Sequence, residues 1–200
     1  MKNNRGRQRH FTLVEILMVS GMICLIVALI AVAYNGVYRS WATRNTMATM
    51  KATHLALDRF NLANGYFPER TSLFALNFAA DSGDPAIRQL AKDLLQVAAP
   101  YAFEFSDHTV RVFDDFGPKP PSATVGQIHS IYYIYPYGNT GTFALFSRGK
   151  DNAWDGDTDD IIYLPNGLAS PNLKAGFYMV RVNSSGAINC DPEDIEPLAE

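Results

Sequence analysis

Five aspartates fall within ten positions, Asp151, Asp155, Asp157, Asp159 and Asp160, inside the run from Ser147 to Ile161 (SRGKDNAWDGDTDDI). Carboxylates at that density repel one another unless solvent or a cation separates them. Calcium takes about six to eight hard oxygen ligands from a flexible loop, and a mixture of Asp, Gly and Asn supplies them. The same composition describes a solvated acidic surface loop that binds nothing, and composition alone leaves both readings open. An EF-hand fits poorly: Asp155, Asp157 and Asp159 are correctly spaced, but Asp160 stands where the turn glycine belongs and Asn166 where a bidentate Glu belongs. A two-carboxylate active site would need partners, and no His, Cys or Ser/His pairing accompanies the run in sequence. No catalytic residue is assigned, and the chain is not read as an enzyme.

The second residue with unusual chemistry is Glu15, the one charge among the 23 residues from Phe11 to Ala33. At about 1.5 Å per residue that stretch crosses about 30 Å of hydrocarbon as a helix. Lys2, Arg5, Arg7 and Arg9 precede it with no acid among residues 1–10, which places its N-terminal side in the cytoplasm. Three readings compete. Ala31-Val32-Ala33 before Tyr34 offers a secretory cleavage site, but the apolar region is longer than the usual ~7–15 residues. A plain signal anchor explains the length and leaves Glu15 as an insertion cost of about 2.5–3.5 kcal/mol. The third reading gives the carboxylate a partner, and it rests on the motif described below.

These residues must be positioned by a scaffold. Between Ala33 and Leu62 the only breaker is Gly36, so the helix continues, with Val37, Trp41, Ala48, Ala52, Leu55, Phe60 and Leu62 on its apolar side and Arg39, Arg44, Lys51, Asp58 and Arg59 elsewhere. Asn64-Gly65 and Pro68 stop it. His54 reads as a surface or half-buried structural histidine, and Trp41 as an interfacial or packing anchor. Residues 71–100 read as two helical pieces split at Asp81–Pro85, the second from Ala86 to Ala98. Beyond Tyr101 the alternation becomes that of strands: YAFEF with TVRVF, IYYIYPY with TFALFS around Gly138-Asn139, and FYMVRV at Phe177–Val182. The tyrosines at 132, 133, 135 and 137 alternate faces on a strand, which favours core packing over a binding platform. Cys24 is a small apolar core residue and lies far from Cys190, so no disulfide framework is implied.

Setting aside the four basic residues of 1–10 leaves 13 cations against 20 acids, a net charge of -7 over residues 11–200. An acidic body of this kind argues against nucleic acid as the chief partner.

The string FTLVEILMV after a short basic leader resembles the N-terminal signal of type IV pilins and pseudopilins. That resemblance implies cleavage by a prepilin peptidase between His10 and Phe11, methylation of Phe11, and Glu15 as the assembly carboxylate. The family usually has Gly where this chain has His10. Asn64-Gly65-Tyr66-Phe67-Pro68 resembles the turn that ends the helix in major pseudopilins of type II secretion. FALFSRGKDNAWDGDTDDI is similar to their C-terminal calcium loop, which implies Asp151 as first carboxylate ligand, Arg148 as carbonyl donor, Asp159 and Asp160 as closing ligands, and less definite roles for Asp155 and Asp157.

The implied fold is α+β and pilin-like, a long N-terminal helix packed on a small antiparallel sheet with a C-terminal metal-binding loop. The implied segments are a leader (1–10), a transmembrane half-helix (11–33), an amphipathic half (34–64) and a periplasmic α+β domain (65–200). The implied function is a structural subunit polymerising from the bacterial inner membrane to drive protein export, with calcium as cofactor. Its implied partners are further copies, other pseudopilins, the prepilin peptidase and an inner-membrane secretion platform. A type IV pilin for adhesion, motility or DNA uptake, and a membrane-anchored binding protein or hydrolase, are the alternatives.

Overall fold

A computed structural model describes residues 12–120, 122–123, 125–138, 141–153, 160–169, 172–180, 182, 185–188 and 195–198. The protein is α+β, with one long N-terminal helix and antiparallel sheets. Helix α1 runs Leu13–Asn64 and stops where Gly65 takes φ 81°, a conformation glycine adopts without steric cost. The chain divides into two compact units between Ser40 and Trp41. In the first, the apolar side chains of α1 from Leu13 to Tyr34 are all exposed, and the segment is long and apolar enough to cross a membrane. Cys24 lies there on the helix surface and not in a core.

In the second unit α1 buries Ala42, Thr46, Met47, Thr49, Met50, Thr53, Ala56, Leu57 and Phe60, spaced three and four apart. This is only in part the face expected from hydropathy, since Phe60 is buried and Ala52 packs on the core as expected. Trp41 (50 % exposed), Leu55 (46 %) and Leu62 (86 %) face away, and Ala48 with them. The inward face was obscured by its threonines. Thr49 Oγ1 donates to Asn45 O (2.9 Å) and Thr53 Oγ1 to Thr49 O (2.8 Å), so each hydroxyl is satisfied within the helix and packs as a small core residue.

The main sheet has six strands in the order β1 (Arg70–Ala75), β5 (Tyr132–Tyr137), β6 (Thr142–Ser147), β7 (Ile161–Leu164), β8 (Gly176–Met179) and β9 (Glu196–Pro197), every pair antiparallel. Strand β6 is buried along its whole length because both sheet faces are covered. Phe143 and Leu145 join the core that contains α1 residues, while Ala144 and Phe146 join a second core with Ile162, Leu164, Tyr178, Val180 and Val182. Tyr133 and Tyr135 belong to the first core and Tyr132 to the second, as strand alternation requires. A register shift between Ile134 and Tyr137 turns Tyr137 to the second core as well.

Residues 70–79 form strands β1 and β2 (Asn77–Ala79), which corrects the helix expected there. Leu76 is claimed by two partners: its amide donates to Ile131 O (2.7 Å) and its carbonyl accepts from Val112 N (3.3 Å). Strands β2, β4 (Thr109–Val112) and β3 (Ala102–Glu104) make a separate three-stranded sheet. Helix α2 (Pro85–Val97) is capped by Asp84, whose carboxylate accepts from Ala86 N (2.8 Å), and buries Leu90, Ala91 and Leu94. The expected 101–113 and 132–147 hairpins are present, with β7 and the two-residue β9 strands that sequence reading missed.

Candidate functional site

Two places carry the residues singled out above. At the head of α1, Thr12 and Glu15 form a capping box. Glu15 Oε2 accepts from Thr12 N (2.8 Å) and Thr12 Oγ1 (2.9 Å), and Thr12 Oγ1 accepts from Glu15 N (3.2 Å). The carboxylate thereby closes donors that the first turn of any helix leaves open. The signal was present in sequence as T-x-x-E before an apolar run. Glu15, Ile16, Val19, Ser20 and Ile23 line one continuous face there, on which the carboxylate is the only charge. His10 and Phe11 lie outside the described residues.

The acidic run leaves the end of β6 and returns into β7. Asp155, Asp157 and Asp159 lie outside the described residues, so Asp151, Asp160 and Arg148 are the predicted positions whose placement is seen. Asp151 is exposed and its Oδ1 accepts from Ala153 N (2.9 Å), closing a tight turn. Asn152 in that turn takes φ 57°, a conformation asparagine tolerates. Asp160 is buried immediately before β7, and its carbonyl accepts from Val180 N (2.9 Å). Arg148 places its guanidinium 4.4 Å from the centre of the Tyr132 ring and directs Nη1 at Asn152 O (3.5 Å). Among the described residues no three carboxylate, His or Cys side chains converge. The visible donors are hard oxygens suited to calcium, and Asn152 Oδ1 is buried without a hydrogen-bond partner among the described residues.

The root of this loop contains groups that sequence reading missed. Ser147 Oγ donates to the buried Asp114 Oδ2 (2.5 Å) and accepts from Gly149 N (3.2 Å). Asp114 Oδ1 accepts from Phe116 N (3.1 Å), while Asp114 N donates to His129 O (2.9 Å). His129 Nδ1 lies 3.1 Å from Gly149 O and 3.9 Å from Asp114 Oδ1. A histidine and a serine do therefore stand beside the acidic run, contrary to the sequence expectation. The serine hydroxyl is spent on Asp114 and the imidazole on a backbone carbonyl, a bracing arrangement. Burial foremost pushes the Asp114 carboxyl up to about 7, against the opposing bonds from Ser147 and the Phe116 and Gly117 amides. Burial holds His129 below the usual imidazole range. No sequence signal pairs residues 114, 129 and 147; the sheet brings them together.

The neighbouring Asp115 is also buried and points the other way. Its Oδ2 accepts from Asn45 Nδ2 (2.8 Å), its amide donates to Thr46 Oγ1 (3.3 Å), and its Oδ1 is paired with Lys119. The Lys119 ammonium also lies 4.8 Å from the Tyr101 ring centre and 5.5 Å from that of Trp41. Trp41 is thus a packing anchor that remains half-exposed. His54 is half-buried and structural: Nδ1 meets Tyr163 Oη (2.7 Å) and Nε2 meets Asp58 Oδ2 (3.0 Å).

No family model, no curated protein and no solved structure matches the chain.

Proposed function

We propose that the protein is a membrane-anchored subunit of a pilus-like filament, of the kind formed by the major pseudopilin of type II secretion. The observation that carries this reading is the exposed surface of α1. Trp41, Ala48, Leu55 and Leu62 are seven residues apart and all exposed, on a helix whose inward face is already occupied. A seven-residue repeat is the spacing at which one helix packs along another. The apolar stretch from Leu13 to Tyr34 is the matching anchor, and it carries a single carboxylate. In this reading the leader is cut between His10 and Phe11 and the Phe11 amine is methylated. Glu15 exchanges its bonds to Thr12 for the amine of a neighbouring copy, since a carboxylate in lipid gains most from a cation. The anchor spans the inner membrane once, with the N-terminus cytoplasmic and the sheets periplasmic.

Calcium fits the acidic loop. Asp151, Asp160 and the Arg148 carbonyl would hold it, with Asp155, Asp157 and Asp159 as further donors. Bound there, it supplies the charge neutralisation that lets five carboxylates share one loop.

Cysteine cross-linking tests the reading. In full-length chain lacking Cys24 and Cys190, Leu55→Cys and Leu62→Cys are expected to link copies in membranes, and Lys92→Cys on the outer side of α2 is not. N-terminal sequencing is expected to begin at Phe11. Inserted, processed chain that gives no links at 55 or 62 rules the filament reading out. Links that persist without a secretion platform and beside pilus-specific partners favour the pilus alternative.

A further inference from the structure

Asp114 and Asp115 are consecutive and buried, yet their carboxylates serve different parts of the unit. Asp114 holds the Ser147–Asp151 turn, through Ser147 Oγ and from there Gly149 N. Asp115 holds α1, through Asn45 Nδ2 and Thr46 Oγ1. The link between Asn45 and Ser147 therefore has one covalent step and two hydrogen bonds, and the bonds of Thr46 to Asp115 N and of Gly149 N to Ser147 Oγ fix its two ends. His129 completes it from the side, bonded through its carbonyl to Asp114 N and through Nδ1 to Gly149 O.

We infer that the Asp114–Asp115 pair is a positioning device that couples the acidic loop to helix α1, so that order in the loop and order at Asn45–Thr46 rise and fall together. Its partner at the loop is a divalent cation, and that part rests on the calcium reading above. At the helix the coupled residues lie one turn from Trp41 and next to Ala48, on the element that presents the exposed seven-residue stripe. A cation at the loop then acts on the surface that meets the next copy without touching it. Packed interiors transmit such shifts because their hydrogen-bonded groups have discrete partners rather than a continuum of positions.

The test is a double-mutant cycle on the full-length chain in nanodiscs, combining Asn45→Ala with Ser147→Ala. Thermal midpoints of the two single variants are expected not to sum: once either is present, the second costs less than half its effect in wild type. Amide exchange supplies a readout that a local packing loss would not move. Adding calcium is expected to slow exchange at residues 42–49 at least threefold in wild type and to leave it unchanged in Ser147→Ala. Asp115→Asn, which keeps the shape and one acceptor oxygen, is expected to retain the calcium effect and guards against a fold lost through truncation. Additive midpoints overturn the coupling, as does a calcium response confined to the loop. Wild type that gives no calcium response at all overturns the calcium reading instead, and the cycle alone then decides the coupling.

Discussion

The His129 imidazole fills the space that a side chain at residue 117 would need: a Cβ on Gly117 would lie 2.6 Å from His129 Cδ2 and 2.7 Å from Cγ. Only glycine at 117 lets the Asp114–Gly117 turn close over the ring. Gly117→Ala must push the imidazole off Gly149 O or lift the turn from α1, at about 1–3 kcal/mol by analogy with other overpacked sites. For a chain of this size the thermal midpoint is expected to fall by about 2–12 °C. An unchanged midpoint in differential scanning calorimetry would show the ring to be free to move away.

Acidity offers a signature of Asp114. Its folded pKa, about 7, lies above the ordinary carboxyl value of 3.8. Between those values the folded chain holds more protons than the unfolded one, so this group's contribution to stability declines as pH rises from about 4 to 7 and is flat above. His129, depressed by burial, works in the opposite sense below its ordinary value of 6.5, because the folded chain then binds fewer protons. The two are separated by comparing variants. The stability of Asp114→Asn relative to wild type is expected to be more favourable at pH 8 than at pH 5, and the difference should vanish in a chain whose residue 114 ionises normally.

Calcium should stabilise the unit by mass action. At free calcium a hundredfold above the dissociation constant the gain is about 2.7 kcal/mol. Asp151→Ala combined with Asp160→Ala is expected to remove the shift in thermal midpoint between calcium and chelator. Equal melts for wild type with and without chelator end the metal reading, whatever the double variant does.

Thr12 and Glu15 should separate capping from assembly. Thr12→Val removes the hydroxyl from the capping box, and amides of the first turn are expected to exchange several-fold faster while filaments still form. Glu15→Ala is expected to abolish intersubunit cross-links at Leu55 and Leu62. Cross-links that survive Glu15→Ala assign the carboxylate to the cap alone.

The sequence made some of this architecture legible and concealed the rest for identifiable reasons. Helix α1 was readable because its length, Asn64-Gly65 and Pro68 agree, and the hairpins because alternation and turn residues agree. The inward face of α1 was readable only at Ala52 and Phe60, since Thr46, Thr49 and Thr53 hide their polarity by bonding within the helix or to Asp115 N. Strand β1 was misread because Leu73, Phe74, Ala75 and Leu76 are an unbroken apolar run, in which helix and strand periods cannot be told apart. The acidic loop announced itself by composition. Its brace did not, because Asp114, His129 and Ser147 are each ordinary in their local sequence and meet only through the Phe113–Ser130 bridge and the pairing of β5 with β6.

The second core of the main sheet has a consequence in time. Its cover comes from Leu168, Leu173, Tyr178, Val180, Val182, Ile188 and Ile195, all later in the chain than the strands they cover. Until they arrive, Ile134, Ala144, Phe146 and Ile162 form a bare apolar face on strands already able to pair. Such a face is sticky toward other unfinished chains. Chains cut short after β7 would keep it permanently, so closing the second core requires that residues 168–195 have been made.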